Sequence, residues 1–208
     1  MERGDVAAEL SWDRALMWRL RRQSLIERAP RTRWPAVVGN LGGVHAQVLS
    51  AAVASIAARV DTLGTDDVAR ALWSERSLVK LWAMRGTLHL LSAADHGTWT
   101  AALAATYPTA YGHYRMADPE VVELAVVIGE LLRDRLLTRR ELAAELRGTR
   151  PAAQLELLTS SWGNGLKPAS FLGLLCHGPP LDGRSRFTRP PDLAGAGGSA
   201  LRPGRGHR

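Results

Sequence analysis

His45 and Gln47 stand one residue apart in Gly42-Gly43-Val44-His45-Ala46-Gln47-Val48, between apolar flanks. A neutral imidazole can take a proton from water, and an amide carbonyl can face developing positive charge through its dipole. By themselves the two make only a weak motif. The same His-x-Gln also fits a helix end where both side chains bond the local backbone. About forty residues later, Leu78-Val79-Lys80-Leu81-Trp82-Ala83-Met84 and Leu88-His89-Leu90-Leu91 flank Arg85-Gly86-Thr87. Two apolar runs about a glycine turn predict a β-hairpin. Arg85 at its tip suits a nucleic-acid phosphate, or else pairs with Asp95 or Glu75 to fix the turn. His89, between leucines, is expected in a core or an interface.

These residues need elements to position them. Ser11 is an N-cap for a helix to about Arg21, with Leu10, Ala15, Trp18 and Leu25 facing a core. Pro35 suits the first turn of a helix ending near Gly42-Gly43. Leu49 to Val60 reads as a buried helix, and Thr65 as the cap of a short helix through Trp73. Ser92 is expected to cap the helix that holds Asp95 and Trp99. The order then repeats: a helix over Pro119 to Leu137, then Thr138-Arg139-Arg140-Glu141 as a capping box opening a second. Gln154 to Leu175 reads as helix with a break near Gly163-Gly165, and Arg184 to Thr188 starts another hairpin. Helices followed by a hairpin wing form the winged-helix variant of helix-turn-helix. The expected fold is mainly α with small β-hairpin wings: one unit over 10–115 and a second over 119–191. Residues 192–208 lack periodicity and apolar bulk and read as a disordered basic tail, consistent with a truncated or frameshifted end.

The chain of 208 residues carries 27 Lys and Arg against 20 Asp and Glu, a net charge of +7. That balance suits a phosphate-bearing partner. Residues 19–33 concentrate it, with Arg19, Arg21, Arg22, Arg28, Arg31 and Arg33 against the single acid Glu27. Arg22, Arg28, Arg31 and Arg33 are the candidate phosphate track outside the motifs. One cysteine, Cys176, precludes an internal disulfide and reads as a buried thiol. No apolar run is long enough to span a membrane, and no signal-type segment opens the chain, so a cytoplasmic location is expected. His and Cys lack zinc spacing, and no P-loop or dinucleotide glycine motif occurs, so neither metal nor cofactor is expected. The seven tryptophans are expected mostly as core anchors, with Trp162 the most exposed.

Taken jointly, several segments resemble the AlkZ/YcaQ-like winged-helix DNA glycosylases over about residues 9–191. They are Gly43, Ala46-Gln47, Ala71-Leu72-Trp73, Arg76-Ser77-Leu78-Val79, Arg85-Gly86-Thr87-Leu88-His89, Leu166-Lys167-Pro168-Ala169, Gly173-Leu174-Leu175-Cys176 and Gly178-Pro179-Pro180. The resemblance implies hydrolysis of the N-glycosidic bond of alkylated purines in double-stranded DNA. In that family a Gln-x-Gln or Gln-x-Asp motif carries catalysis. Gln47 matches its second position, while His45 stands where the family usually has Gln. The resemblance thus makes Gln47 and His45 the catalytic candidates, with Arg85 and Lys167 beside the arginine track as DNA contacts. Such chemistry suits amides: an N7-alkylated guanine is already cationic and leaves neutral, so no strong acid is needed. The alternatives are a non-catalytic winged-helix regulator, since fold does not fix function, and an inactive truncated member of the family.

Overall fold

The computed structural model describes residues 10–110, 116–160, 162–190 and 202–203. The chain opens with α1 (Trp12–Arg22), capped by the Ser11 hydroxyl accepting from the Arg14 N–H at 3.3 Å. There follow α2 (Trp34–Asn40), β1 (Val44–His45), α3 (Leu49–Ala57), α4 (Thr65–Trp73), β2 (Leu78–Trp82) and β3 (Leu88–Ser92). The three strands form one antiparallel sheet in the order β1-β3-β2. After α5 (His96–Ala110), the same succession of helix, strand, helix, helix and hairpin recurs. It comprises α6 (Pro119–Leu131), β4 (Arg135–Leu136), α7 (Arg139–Glu145), α8 (Ala152–Thr159), β5 (Cys176–Leu181) and β6 (Arg184–Thr188). A short extra helix, α9 (Lys167–Phe171), precedes the second hairpin, and the Leu137–Phe187 bridge ties the end of β4 to β6. The fold is mainly α with hairpin wings. Of the segment 192–208, only Arg202–Pro203 (β7) is described, running parallel to β4; the expected disorder otherwise falls outside the described residues.

Strand alternation gives the first sheet two working faces. Val44, Leu78 and Leu90 pack with α2, α3 and α4 residues such as Val38, Ile56 and Leu72. The opposite face presents Val79, Leu81 and Leu91 to a larger core shared with Leu103, Ile128, Phe171 and Phe187. That core runs through both units. At the seam Trp82 stacks on Phe187 at 5.8 Å, and Ser170 Oγ donates to the Trp82 carbonyl at 3.0 Å. Gly163 is required beside it, because a Cβ there would lie 2.5 Å from the Trp82 ring.

Several local expectations shift. Thr65 opens α4, but the N-cap is Gly64, whose N–H donates to Asp67 Oδ2 at 3.0 Å. Ser92 ends β3 rather than capping, and α5 begins four residues later. The helix from Pro119 stops at Leu131, so that Arg135–Leu136 can pair as a strand. The expected core face of α1 is open: Leu10 and Trp18 are each 64% exposed, Leu25 is exposed, and α1 buries no residue. Amphipathic periodicity fixes which face is apolar, not whether anything packs on it, and none of the described elements covers this one. Trp12 and Trp162 are likewise exposed, whereas Trp34 and Trp82 are buried.

Asp67 knots the first unit. Its buried carboxylate takes the Gly64 N–H, Arg31 at 2.6 Å and Arg70 at 2.8 Å. Those donors, the backbone N–H first, hold its pKa at about 2, below the ordinary 3.8. A depressed carboxylate contributes stability above its unfolded pKa and loses it as pH falls through the folded value. Both arginines are half exposed, so water screens the pairs and the contribution is on the order of 1–2 kcal/mol. Asp67→Asn is expected to remove that amount in urea unfolding at pH 7. The loss of stability between pH 4 and 2 should be correspondingly shallower than in the parent.

Candidate active site

The site begins with two residues of extended chain. β1 pairs with β3 in the register Val44↔Leu90 and His45↔His89, and the Ala46 N–H donates to the Leu88 carbonyl at 2.7 Å. Period-two alternation then buries Val44 and Ala46 and turns His45 and Gln47 to solvent. Gly43 allows the chain to enter this strand: its φ is +106°, and a Cβ there would lie 2.4 Å from Leu91 Cδ2. The two candidate groups therefore project from neighbouring outward positions at one end of the sheet. Gln47 Oε1 accepts from the Leu88 N–H at 3.5 Å, a long contact that orients the carbonyl toward the hairpin. Among the described residues its amide NH2 has no protein partner.

His89 completes the cluster. It lies directly across from His45, with ring centroids 5.5 Å apart in an edge-to-face arrangement. His89 is 5% exposed, and its Nδ1 is 3.0 Å from the Thr87 carbonyl. A carbonyl only accepts, so Nδ1 carries the proton and Nε2 of the neutral ring is bare. Burial pushes the His89 pKa below its ordinary value; the Thr87 carbonyl opposes this, and His45 and Arg85 add to it. The cluster thus holds one neutral buried imidazole, one exposed imidazole and one exposed amide.

Arg85 sits in the hairpin turn at φ +56°, exposed. Among the described residues it makes no ion pair, and Glu75 is taken by Arg70 at 2.7 Å. The turn is fixed instead by Tyr107 of α5, which is buried. Its hydroxyl donates to the Ala83 carbonyl at 2.6 Å and accepts the Gly86 N–H at 2.8 Å. Thr87 Oγ1 donates to the Met84 carbonyl at 3.0 Å. Arg85 is thereby left free at the tip of a rigid wing.

The other sequence candidates lie elsewhere. Arg22, on the last turn of α1, stacks over Trp18 at 5.6 Å. Arg31 is committed to Asp67, while Arg28 and Arg33 line a small cleft with Glu27 and Asn40. Lys167 departs most from expectation. It is 7% exposed, in a helix whose five residues are all buried, and it donates to Asn164 Oδ1 at 3.2 Å. Burial and then Arg139 push its pKa down. It is a seam residue and not a surface contact. Sequence reasoning left His89 as a generic core histidine, although antiparallel alignment of Val44-His45 on the hairpin would have placed it. Tyr107 carried no signal. Among the described residues no three His, Cys, Asp or Glu side chains gather as a metal site, and no helix is long and apolar enough to cross a membrane.

Comparison with known proteins places this geometry. Residues 38–198 match the family described as DNA glycosylase AlkZ-like, a span that includes β1, the first wing and the second unit. The chain belongs to the AlkZ-like DNA glycosylase family. An interstrand DNA cross-link repair glycosylase of Streptomyces sahachiroi is 37% identical over 193 residues, covering 89% of this chain and 51% of that protein. The solved structure of Streptomyces sahachiroi DNA glycosylase AlkZ superposes with a TM-score of 0.78 at 34% identity, over 94% of this chain and 54% of that one. The chain therefore spans about half the length of these AlkZ-like relatives.

Two outcomes follow from the site's construction. Tyr107→Phe leaves the Ala83 carbonyl and the Gly86 N–H short of a partner, which costs about 2 kcal/mol. In a domain of this size that is a fall of roughly 4–8 °C in Tm by calorimetry. In a proton NMR titration of the ring resonances, His89 is expected to stay neutral at pH 6.5, where an unperturbed imidazole is half protonated.

Proposed function

We propose that this chain carries the base-excision centre of a DNA glycosylase acting on alkylated purines in duplex DNA, with Gln47 and His45 at the reacting sugar. The observation that carries the reading is the pairing of His45 with His89, which presents His45 and Gln47 side by side at the open end of the sheet. The repeated succession of helix, strand, helix, helix and hairpin supports reading 10–115 and 119–191 as two winged-helix units. The name of the Streptomyces sahachiroi relative, a cross-link repair glycosylase, supports a bulky or alkylated base as substrate.

In this reading a cationic N7-alkylguanine is already a good leaving group. Its bond to the anomeric carbon breaks, and the electron pair stays with the base, which departs neutral. The Gln47 carbonyl faces the positive charge that develops on the sugar, where an oriented dipole is worth more than it is in water. A water adds its oxygen to the anomeric carbon and gives its proton to neutral His45. A cationic His45 would repel the developing sugar cation and could accept nothing. Arg85, fixed at the wing tip without a carboxylate partner, takes a neighbouring phosphate, and Arg22, Arg28 and Arg33 extend the basic surface.

A sequence-reading regulator needs base-contacting side chains on the helix before each wing. On α4 the one arginine, Arg70, is tied to Asp67 and Glu75. On α8, AAQLELLT, there is no Arg or Lys, and Gln154 Oε1 is buried. Neither helix supports that alternative.

The test is single-turnover release of N7-methylguanine from duplex DNA. Gln47→Ala is expected to lower release about 100-fold or more, in line with loss of one charge-stabilising group. Parent protein that is folded yet releases no base above the blank, or a Gln47→Ala variant as fast as the parent, would overturn the assignment.

A further inference from the structure

The second unit holds a basic groove that the excision centre does not use. It lies between α7 and the hairpin β5–β6, encloses about 1040 Å³, and is lined by Arg139, Arg140, Arg184 and Arg186 against the acids Glu141 and Asp182. Of the two acids, Glu141 is spent: its Oε2 takes the Thr138 N–H at 2.7 Å in the α7 capping box.

Four arginines without a carboxylate partner gather in this groove, whereas of those around it Arg147 alone among the described residues lacks one. Outside it, Arg133 and Arg189 both pair with Glu130, Arg135 with Glu145, and Arg150 with Glu123, all at 2.5–2.7 Å. Inside it, none of the four arginines reaches a carboxylate among the described residues. Two are instead held by neutral groups. Arg139 donates to the Ser160 carbonyl and lies 5.9 Å from both the Trp82 and Phe187 rings. Arg186 Nε donates to the Pro179 carbonyl at 2.9 Å. Burial alone depresses the Arg139 pKa, with no acid to offset it. Arg140 and Arg184 are exposed. Arg139 and Arg186, held by backbone and rings, stand with the exposed Arg140 and Arg184 as four guanidinium groups against one uncommitted acid, Asp182, which none of them reaches, and so are prepared for an anion from outside.

We propose that this groove binds the phosphodiester backbone of duplex DNA, as a contact distinct from the His45–Gln47 centre. Several arginines along one groove match a row of phosphates better than a single small anion. No aromatic side chain lines the groove, so it offers no stacking platform for single strands. The adjoining α8 bears no cation to read bases, so the contact is independent of sequence. The inference rests on duplex DNA being the substrate, but not on Gln47 or His45 performing chemistry.

The experiment measures binding of a lesion-free duplex by fluorescence anisotropy across a salt series. It compares the parent, the double variant Arg140→Gln/Arg184→Gln, and the charge-matched control Arg133→Gln/Arg150→Gln. Each phosphate contact contributes about 0.9 to the slope of log Kobs against log salt. The groove variant is expected to lose between about 1 and 2 of that slope and to bind roughly tenfold or more weakly at 0.1 M salt, while the control stays near the parent. A groove variant indistinguishable from the control overturns the proposal. If the parent releases no base but the groove variant still loses slope, the excision reading fails and the groove stands. If the parent releases base and the slopes agree, the reverse holds. A parent that binds no duplex overturns both.

Discussion

The construction of the proposed excision centre depends on the pairing of two residues, Val44 and His45, with the inner strand of the first wing. A two-residue strand has little stability of its own; it persists because Val44 and Ala46 are anchored in the core on one side. The Ala46 N–H bond to Leu88 then fixes the register. A slip of one residue would turn both polar side chains inward and both small apolar ones outward. Burial of apolar neighbours thus holds the candidate groups outward, with only the long Leu88 N–H contact at 3.5 Å drawing on Gln47 itself. In the proposed reaction that economy matters, because Gln47 and His45 would need acceptor capacity for water and sugar.

The same pairing sets the electrostatics. His89 is brought opposite His45 by register, and burial makes it neutral. In the proposed reaction a protonated neighbour would add a positive charge next to the anomeric centre, where bond breaking develops one. The wing carries two cations, Lys80 within β2 and Arg85 at a turn that Tyr107 clamps. The paired strands β1 and β3 carry no Lys or Arg, and the exposed cation sits on the tip.

How much of this was legible in the sequence varies with the range of the interaction. The hairpin around Arg85-Gly86-Thr87 and the Ser11 and Thr138 caps rest on contacts within a few residues, and local chemistry gave them away; the outward turn of His45 and Gln47 comes from pairing with β3 and was not legible. Lys167 was misplaced because its burial is decided by packing of α9 between units, which no local pattern encodes. Trp18 and Leu10 were misplaced for the opposite reason: an apolar face was legible, but not the lack of any described element to cover it. Tyr107 is a tertiary clamp reaching back 21 and 24 residues, and nothing about a tyrosine near the end of a helix announces that.

Arginine offers the clearest case of what geometry adds to composition. A net charge of +7 says only that the surface favours anions. In the first unit, Arg31 and Arg70 are drawn onto one buried carboxylate, and their charge is spent on holding the fold. In the second, Arg133, Arg135, Arg150 and Arg189 are spent on surface glutamates. Among the described arginines without a carboxylate partner, Arg85 stands at the first wing tip and Arg139, Arg140, Arg184 and Arg186 gather in the groove beside the second wing, apart from those of residues 14–33. Duplex DNA is a long, uniform polyanion, and two fixed cationic contacts on a shared rigid core constrain its orientation in a way that one cannot. Under the proposed function, a unit acting on a damaged base wherever it lies would have reason to grip the backbone in this manner, since the bases flanking a lesion carry no reliable signal.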